Sequence, residues 1–217
     1  MIYAIGNVKG GVGKSMLSVQ IALWLALDGR EVWLVDGDKQ LTSQMAMSVR
    51  AEDGHSPLVA CSSYPDGKDL RTQVKQQCSK YDDVVIDVGG RDSPPLRAAL
   101  MLADVLIVPF QPRSIELWAL KGIVDLIDEA NSMRDGLKAY ALLNMADPGD
   151  RSTDNVEAAE AIVDFPQLEY LPTPIRRRKA FATAIGLGQS VREFKPQDKK
   201  AIDEISEMLT ALQNKLS

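Results

Sequence analysis

Hydrophobic and polar positions alternate between two textures along this chain. Short, almost continuously apolar runs, "IYAIG", "EVWLVD", "DDVVIDV", "ADVLIVPF" and "KAYALLN", are followed by longer segments with apolar residues at helical spacing, as in "SMLSVQIALWLAL". Strands buried on both faces need continuous apolar runs, and their alternation with helices predicts an α/β fold: a mainly parallel, twisted sheet with helices on both faces. Turn signals such as "YPDGKD" and "ADPGDRST" fall between the runs, with no repeat, low-complexity tract or flexible linker. At the end of the chain, Ile202, Ile205, Leu209, Leu212 and Leu216 form one apolar face of a helix expected to pack on the core. A membrane-targeting helix is the alternative, but the polar face of this segment mixes acidic with basic residues where an anionic surface favours lysine and arginine.

Composition narrows the classes. A chain of 217 residues, 45% hydrophobic and 25% charged, can fill one core and is short for two, so a single domain over residues 1–217 is expected. It opens on a strand-like run and not on a secretion signal, and no stretch approaches the roughly 18 apolar residues of a membrane span. A cytoplasmic protein with no membrane partner is the expectation. Cys61 and Cys78 stand far apart and His55 is the single histidine, so zinc and disulfide readings have little support, and any metal should be held by oxygen. The net charge of -5 means that binding to nucleic acid would need a local basic patch.

The first apolar run leads into "VKGGVGKSM", residues 8 to 16. The standard phosphate-loop pattern GxxxxGK[ST] fails here, because Val8 stands where its first glycine belongs. What is present is KGGxGK[ST], in Lys9, Gly10, Gly11, Gly13, Lys14 and Ser15. The physics is the same: glycines let backbone N–H groups turn toward phosphate oxygens, and the helix that follows presents its positive end. In such a loop Lys14 neutralises the β and γ phosphates of a nucleotide and the Ser15 hydroxyl ligates magnesium. Background composition makes a chance match about one in 10⁷ positions.

The pattern resembles the signature of the deviant Walker A ATPases, the family of ParA partition proteins, MinD and the nitrogenase iron protein. The resemblance implies ATP and Mg²⁺ as ligands, held by the loop residues Gly10, Gly11, Val12, Gly13, Lys14, Ser15 and Met16. It also implies a role for Lys9, reaching the partner's phosphates across a homodimer formed in the ATP state. "EVWLVDGDKQ" is similar to the family's strand ending in DxDPQ, with Lys39 in place of proline. By resemblance Asp38 positions or activates the attacking water and Asp36 belongs to the magnesium shell. "YDDVVIDVGG" gives the Walker B pattern, so Asp87 is expected to hold magnesium, through a water. Gly89 and Gly90 replace the family's usual proline pair, which should make the loop more mobile.

Three further segments are less specific. Asn144 ends "KAYALLN" where relatives place an asparagine on the base, although its position alone also fits a strand-end cap. "LPTPIRRRK" is similar to the segment that closes over the adenine. "FQPRSIELWAL" resembles the family's segment after the Walker B strand, with a helix capped by Ser114; strand exit and helix start explain it equally well. The run Arg176, Arg177, Arg178, Lys179, read as opening the helix "RRRKAFATAI", is the candidate basic patch, with Arg192 nearby. Positive charge there opposes the helix dipole unless an anion lies close, and in ParA relatives C-terminal basic residues bind DNA without sequence preference.

The resemblance therefore implies an ATPase that dimerises on ATP, binds non-specific DNA and so becomes nucleoid-associated, and releases it when a cargo-bound or centromere-binding adaptor protein stimulates hydrolysis. The chain starts at its first strand, which is read as lacking the DNA-binding extension of larger ParA proteins. A MinD-like membrane-surface switch and an ATP-dependent metabolic enzyme of the same fold stay open as alternatives.

Overall fold

The computed structural model describes residues 1–112, 114–149 and 152–216, with the side chains of residues 114–119 outside that description. Seven strands form one sheet: β1 Ile2–Ile5, β2 Val32–Asp36, β3 Ala60–Ser63, β4 Asp83–Asp87, β5 Val105–Phe110, β6 Lys138–Ala146 and β7 Glu169–Arg176. Their spatial order is β3-β2-β4-β1-β5-β6-β7, and every neighbouring pair is parallel. Parallel neighbours need crossovers, and helices supply them: α1 Lys14–Leu27, α2 Thr42–Glu52, α3 Gly67–Gln77, α4 Pro94–Leu100, α5 Ser114–Met133, α6 Thr153–Glu160, α7 Lys179–Gly186 and α8 Lys199–Leu216.

The period of two along each strand sorts the core into two layers. Tyr3, Ile5, Leu34, Val85 and Ile107 face one cluster with α1, α2, α7 and α8. Ala4, Trp33, Val35, Ile86, Leu106 and Val108 face the other, with α3, α4, α5 and α6. The expected α/β architecture is the one observed. The terminal helix packs as its spacing predicts: Ile205, Met208, Leu209 and Leu212 of α8 are buried.

Two strands escaped the hydrophobic pattern, and both are edges. β3 is only partly buried, and β7 carries Pro172 and Pro174. A proline lacks the N–H that an inner strand needs for its ladder, so it is tolerated at the sheet's border. β6 continues two residues past Asn144, and its register against β7 shifts twice between Leu142 and Ala146. Met145, within that irregularity, takes φ 53. A bulge of this kind redirects consecutive side chains, and two of them reach the site described next.

Candidate functional site

At the carboxyl ends of β1, β2 and β4, the edge where open α/β sheets bind ligands, lies a cavity of about 840 Å³. Its walls are Gly10, Gly11, Gly13, Lys14, Ser15 and Met16, residues 37–40 after β2, Pro65 and Asp66 after β3, residues 89–95 after β4, and Met145. Of the residues singled out in the sequence, the loop glycines, Lys14, Ser15, Met16 and Asp38 line this space. Val12, Asp36, Asp87 and Asn144 are buried beneath it.

The loop is held from outside by donors on its carbonyl oxygens. Lys14 Nζ donates to the Lys9 carbonyl (2.7 Å), Gln111 Nε2 to that of Gly11 (2.9 Å) and Asn144 Nδ2 to that of Val12 (2.7 Å). Asn7 supports the entry: its Oδ1 accepts from Lys9 N (3.1 Å) and its Nδ2 donates to the Pro109 carbonyl (2.8 Å). With these carbonyls engaged, the loop's N–H groups are what it has left to offer a ligand. Gly13, in the N-cap of α1 at φ 85, provides no side-chain cap, so the helix start is open to an anion. Only glycine fits there, because a Cβ would stand 2.3 Å from Asn144 Nδ2.

Asn144 therefore sits under the loop and not in the cavity wall. Its Nδ2 supports the Val12 carbonyl, its Oδ1 has no partner among the described residues, and its neighbour Met145 faces the cavity. Met145 Sδ accepts from Gln111 Nε2 at 3.2 Å.

Below the loop the charges do not balance. Asp36 and Asp87 are register partners on adjacent strands, both fully buried. Asp36 accepts from Asp38 N and Gln44 N, each at 3.0 Å. Asp87 Oδ2 accepts from Ser43 Oγ at 2.7 Å, while its Oδ1 has no partner among the described residues. Burial pushes the Asp87 carboxyl up to about 7, against the pull of the Ser43 and Ser15 hydroxyls and of Lys14. Burial also raises Asp36, opposed by its backbone donors, and lowers Lys14, opposed by Asp87 and Asp38. A buried carboxylate oxygen without a partner is costly unless a cation or water joins it. The donor set fits magnesium: a hydroxyl in the wall, two carboxylates behind it and room for phosphate oxygens. Among the described residues no group of three His, Cys, Asp or Glu could cage a metal, as suits an ion that keeps its waters and takes phosphate as ligand.

The loop after β4 closes the opposite wall. A Cβ on Gly89 would lie 3.1 Å from the Asp38 carboxylate, and one on Gly90 would lie 2.8 Å from the N and Cα of Gly10. The glycine pair therefore lets two backbones touch. Arg91 follows at φ 117.

The basic run meets its expectation only in its second half. Arg176 ends β7, while Arg178 is the N-cap of α7 and Lys179 its first residue, so two of the four cations open the helix. Arg176 and Arg178 converge on buried Glu204 of α8, with contacts of 3.1 Å and 2.6 Å. The anion that would offset the charge is thus internal to the chain. Arg192 pairs with Asp28 (2.6 Å) and lies over the Trp24 ring. Arg177 and Lys179 are exposed, as are Lys195, Lys199 and Lys200. α5 begins at Ser114, and the side chain expected to cap it lies outside the described residues.

Asn7, Ser43, Arg91 and Met145 enter the site without having been foreseen. Asn7 and Arg91 adjoin motif residues, which was a usable signal. Ser43 and Met145 had none, since a helix start and a strand bulge bring them in.

Residues 3–191 match the CobQ/CobB/MinD/ParA nucleotide binding domain. The chain is 29% identical over 209 residues to maintenance of carboxysome distribution protein A of Halothiobacillus neapolitanus, covering 95% of this chain and 93% of that protein. It is 28% identical over 223 residues to the chromosome-partitioning ATPase Soj of Thermus thermophilus, covering 89% and 88%. Its fold is similar to that of a Cyanothece McdA variant in complex with ATP, with TM-score 0.79 at 14% identity, covering 98% and 96% of the two chains.

Proposed function

Because the chain belongs to the CobQ/CobB/MinD/ParA nucleotide-binding family, we propose that it is a partition or positioning ATPase that dimerises on ATP and carries cargo over DNA. One observation carries the nucleotide part: an open helix start and a loop with clamped carbonyls face the same cavity as Asp38, above two buried carboxylates whose charge Lys14 alone does not balance.

In this reading the loop N–H groups and Lys14 bind the phosphates. Ser15 holds Mg²⁺ directly, with Asp36 and Asp87 behind it, and the ion when bound supplies electrostatic stabilisation of charge on the phosphates. Asp38 orients a water toward the terminal phosphate and takes its proton. Lys9, at the loop's outer end, reaches the nucleotide of a second copy, so that closing the homodimer needs the triphosphate. Joining two weak basic surfaces in one dimer makes a single avid site, and ATP then controls DNA affinity. The cations best placed for that surface are the exposed Arg177, Lys179, Lys199 and Lys200, since Arg176, Arg178 and Arg192 are engaged within the chain. A cargo-bound adaptor stimulates hydrolysis, the ADP form leaves the DNA, and the protein resides in the cytoplasm on the nucleoid. The names of the carboxysome and chromosome-partitioning relatives support cargo of this broad kind. The packing of the apolar face of α8 on the core weighs against its use as a membrane anchor.

The test is binding to a random-sequence duplex with ATP, with ADP and with neither, across a salt series. Binding with ATP alone, weakening steeply with salt, is the expected result. Absence of binding in every state overturns the DNA role, and ATP-dependent binding to anionic vesicles in its place would favour a membrane switch. Replacing Lys9 by Ala should leave ATP binding largely intact and abolish the ATP dimer; an intact dimer by light scattering removes the role given to Lys9.

A further inference from the structure

We propose that Arg91 is a further phosphate-binding residue, whose guanidinium meets the terminal phosphate and makes the site discriminate triphosphate from diphosphate. The inference rests on the nucleotide reading above. Arg91 lines the same cavity as Gly10, Gly11, Lys14 and Ser15. It holds φ 117, a region that residues with a Cβ rarely enter and that persists only where the surroundings impose it. Tight contacts lie beside it: Gly90 lies on the backbone of Gly10 with no room for a Cβ, and Gly89 lies against the Asp38 carboxylate. The pair places the backbone immediately before Arg91 between the phosphate loop and Asp38, the span in which the terminal phosphate of a nucleotide on Lys14 would lie.

The charge of Arg91 is not used elsewhere. It has no hydrogen-bond or ion-pair partner among the described residues, unlike Arg30, Arg50, Arg97, Arg176, Arg178 and Arg192. Its sequence neighbour Asp92 is held through both oxygens by Arg97, at 2.7 Å and 2.8 Å, and Arg97 also bonds Glu129. An acid that would otherwise neutralise Arg91 is thereby taken away. Arg91 is exposed, but it borders the cavity of the phosphate loop from a strained backbone position. Guanidinium matches paired phosphate oxygens better than an ammonium does, because its donors lie in a fixed plane.

The experiment is calorimetric titration of the protein with a non-hydrolysable ATP analogue and with ADP, both with Mg²⁺, for the wild type and for Arg91→Ala, Arg91→Gly and Arg91→Lys. Arg91→Gly serves as the folding control, because glycine accepts φ 117 without strain and should match or exceed the wild-type melting temperature. The expected result is a loss of analogue affinity of about tenfold or more in the Ala and Gly variants, with ADP affinity changed by less than about twofold and a partial return with Lys. Repeating the series in the Lys9→Ala background removes dimerisation from the ratio. An unchanged analogue-to-ADP ratio in a stably folded Arg91→Gly variant overturns the role of Arg91 and leaves the nucleotide site standing. Failure of the wild type to bind either nucleotide overturns the nucleotide reading itself, and the role of Arg91 with it.

Discussion

Two charged regions stand out in this chain, and they balance their charge in opposite ways. Around the phosphate loop, buried Asp36 and Asp87 face one nearby lysine, and an oxygen of Asp87 is left without a partner. In the basic run, Arg176 and Arg178 share one buried glutamate, so these two charges already have an internal partner, while Arg177 and Lys179 stay exposed. Folding tolerates an unbalanced buried charge only at a cost, so an imbalance retained in a packed core points to a ligand. A charge that already has a partner within the chain carries no such implication, however conspicuous its sequence. "RRRK" invites a nucleic-acid reading more loudly than "DVGG" invites a metal one, yet the structure weighs them the other way.

The contrast can be broken at its strongest point first. Lys14→Ala should remove the cation over Asp87 and lower ATP affinity by roughly 100-fold, about 3 kcal/mol, in calorimetry; a loss of less than tenfold would mean that the loop does not depend on this lysine. Next comes Glu204→Ala. It strands Arg176 and Arg178, which keep partial solvent access, so the cost should be about 2 kcal/mol in urea denaturation, below that of a fully buried pair. If the region is a DNA surface, the same variant should bind DNA more tightly, since two cations are released. If it is purely structural, DNA binding should be unchanged.

A third prediction concerns pH in the metal-free protein with chelator present. The folded-state pKa of Asp87, about 7, lies above its ordinary value of 3.8, so the folded protein holds a proton that the unfolded chain releases. That contribution to stability is full below the unfolded pKa and is lost as pH rises through the folded one. Asp87→Asn mimics the protonated form. It should therefore be more stable than wild type by about 1–2 kcal/mol at pH 8, and close to it at pH 4. Equal denaturation midpoints at both values would show that burial of Asp87 carries no such penalty. Smallest of the four, Gln111→Ala should weaken ATP binding only a few-fold, about 1 kcal/mol, by releasing the Gly11 carbonyl. A loss matching that of Lys14→Ala would make the outer clamps as important as the charge.

Much of this molecule was legible in the linear pattern. Five of the seven strands are continuous apolar runs, and the phosphate-loop motif is written in residues adjacent in sequence, so local reading reaches both. The edge strands β3 and β7 were not legible, because half-exposed or proline-bearing strands lack the apolar continuity of inner ones. Nor was the place of Asn144: one residue of strand bulge separates a side chain in the cavity wall from one beneath the loop.

Sequence alone determined that this chain builds a parallel α/β sheet and puts glycines, Lys14 and Ser15 at the carboxyl end of its first strand, because strand burial and loop geometry depend on neighbouring residues. Only the tertiary structure decided which charges have partners. Glu204 lies 26 residues from Arg178 and Ser43 lies 44 from Asp87, and the balance of a buried charge depends on what folding brings within about 3 Å of it, at whatever distance along the chain.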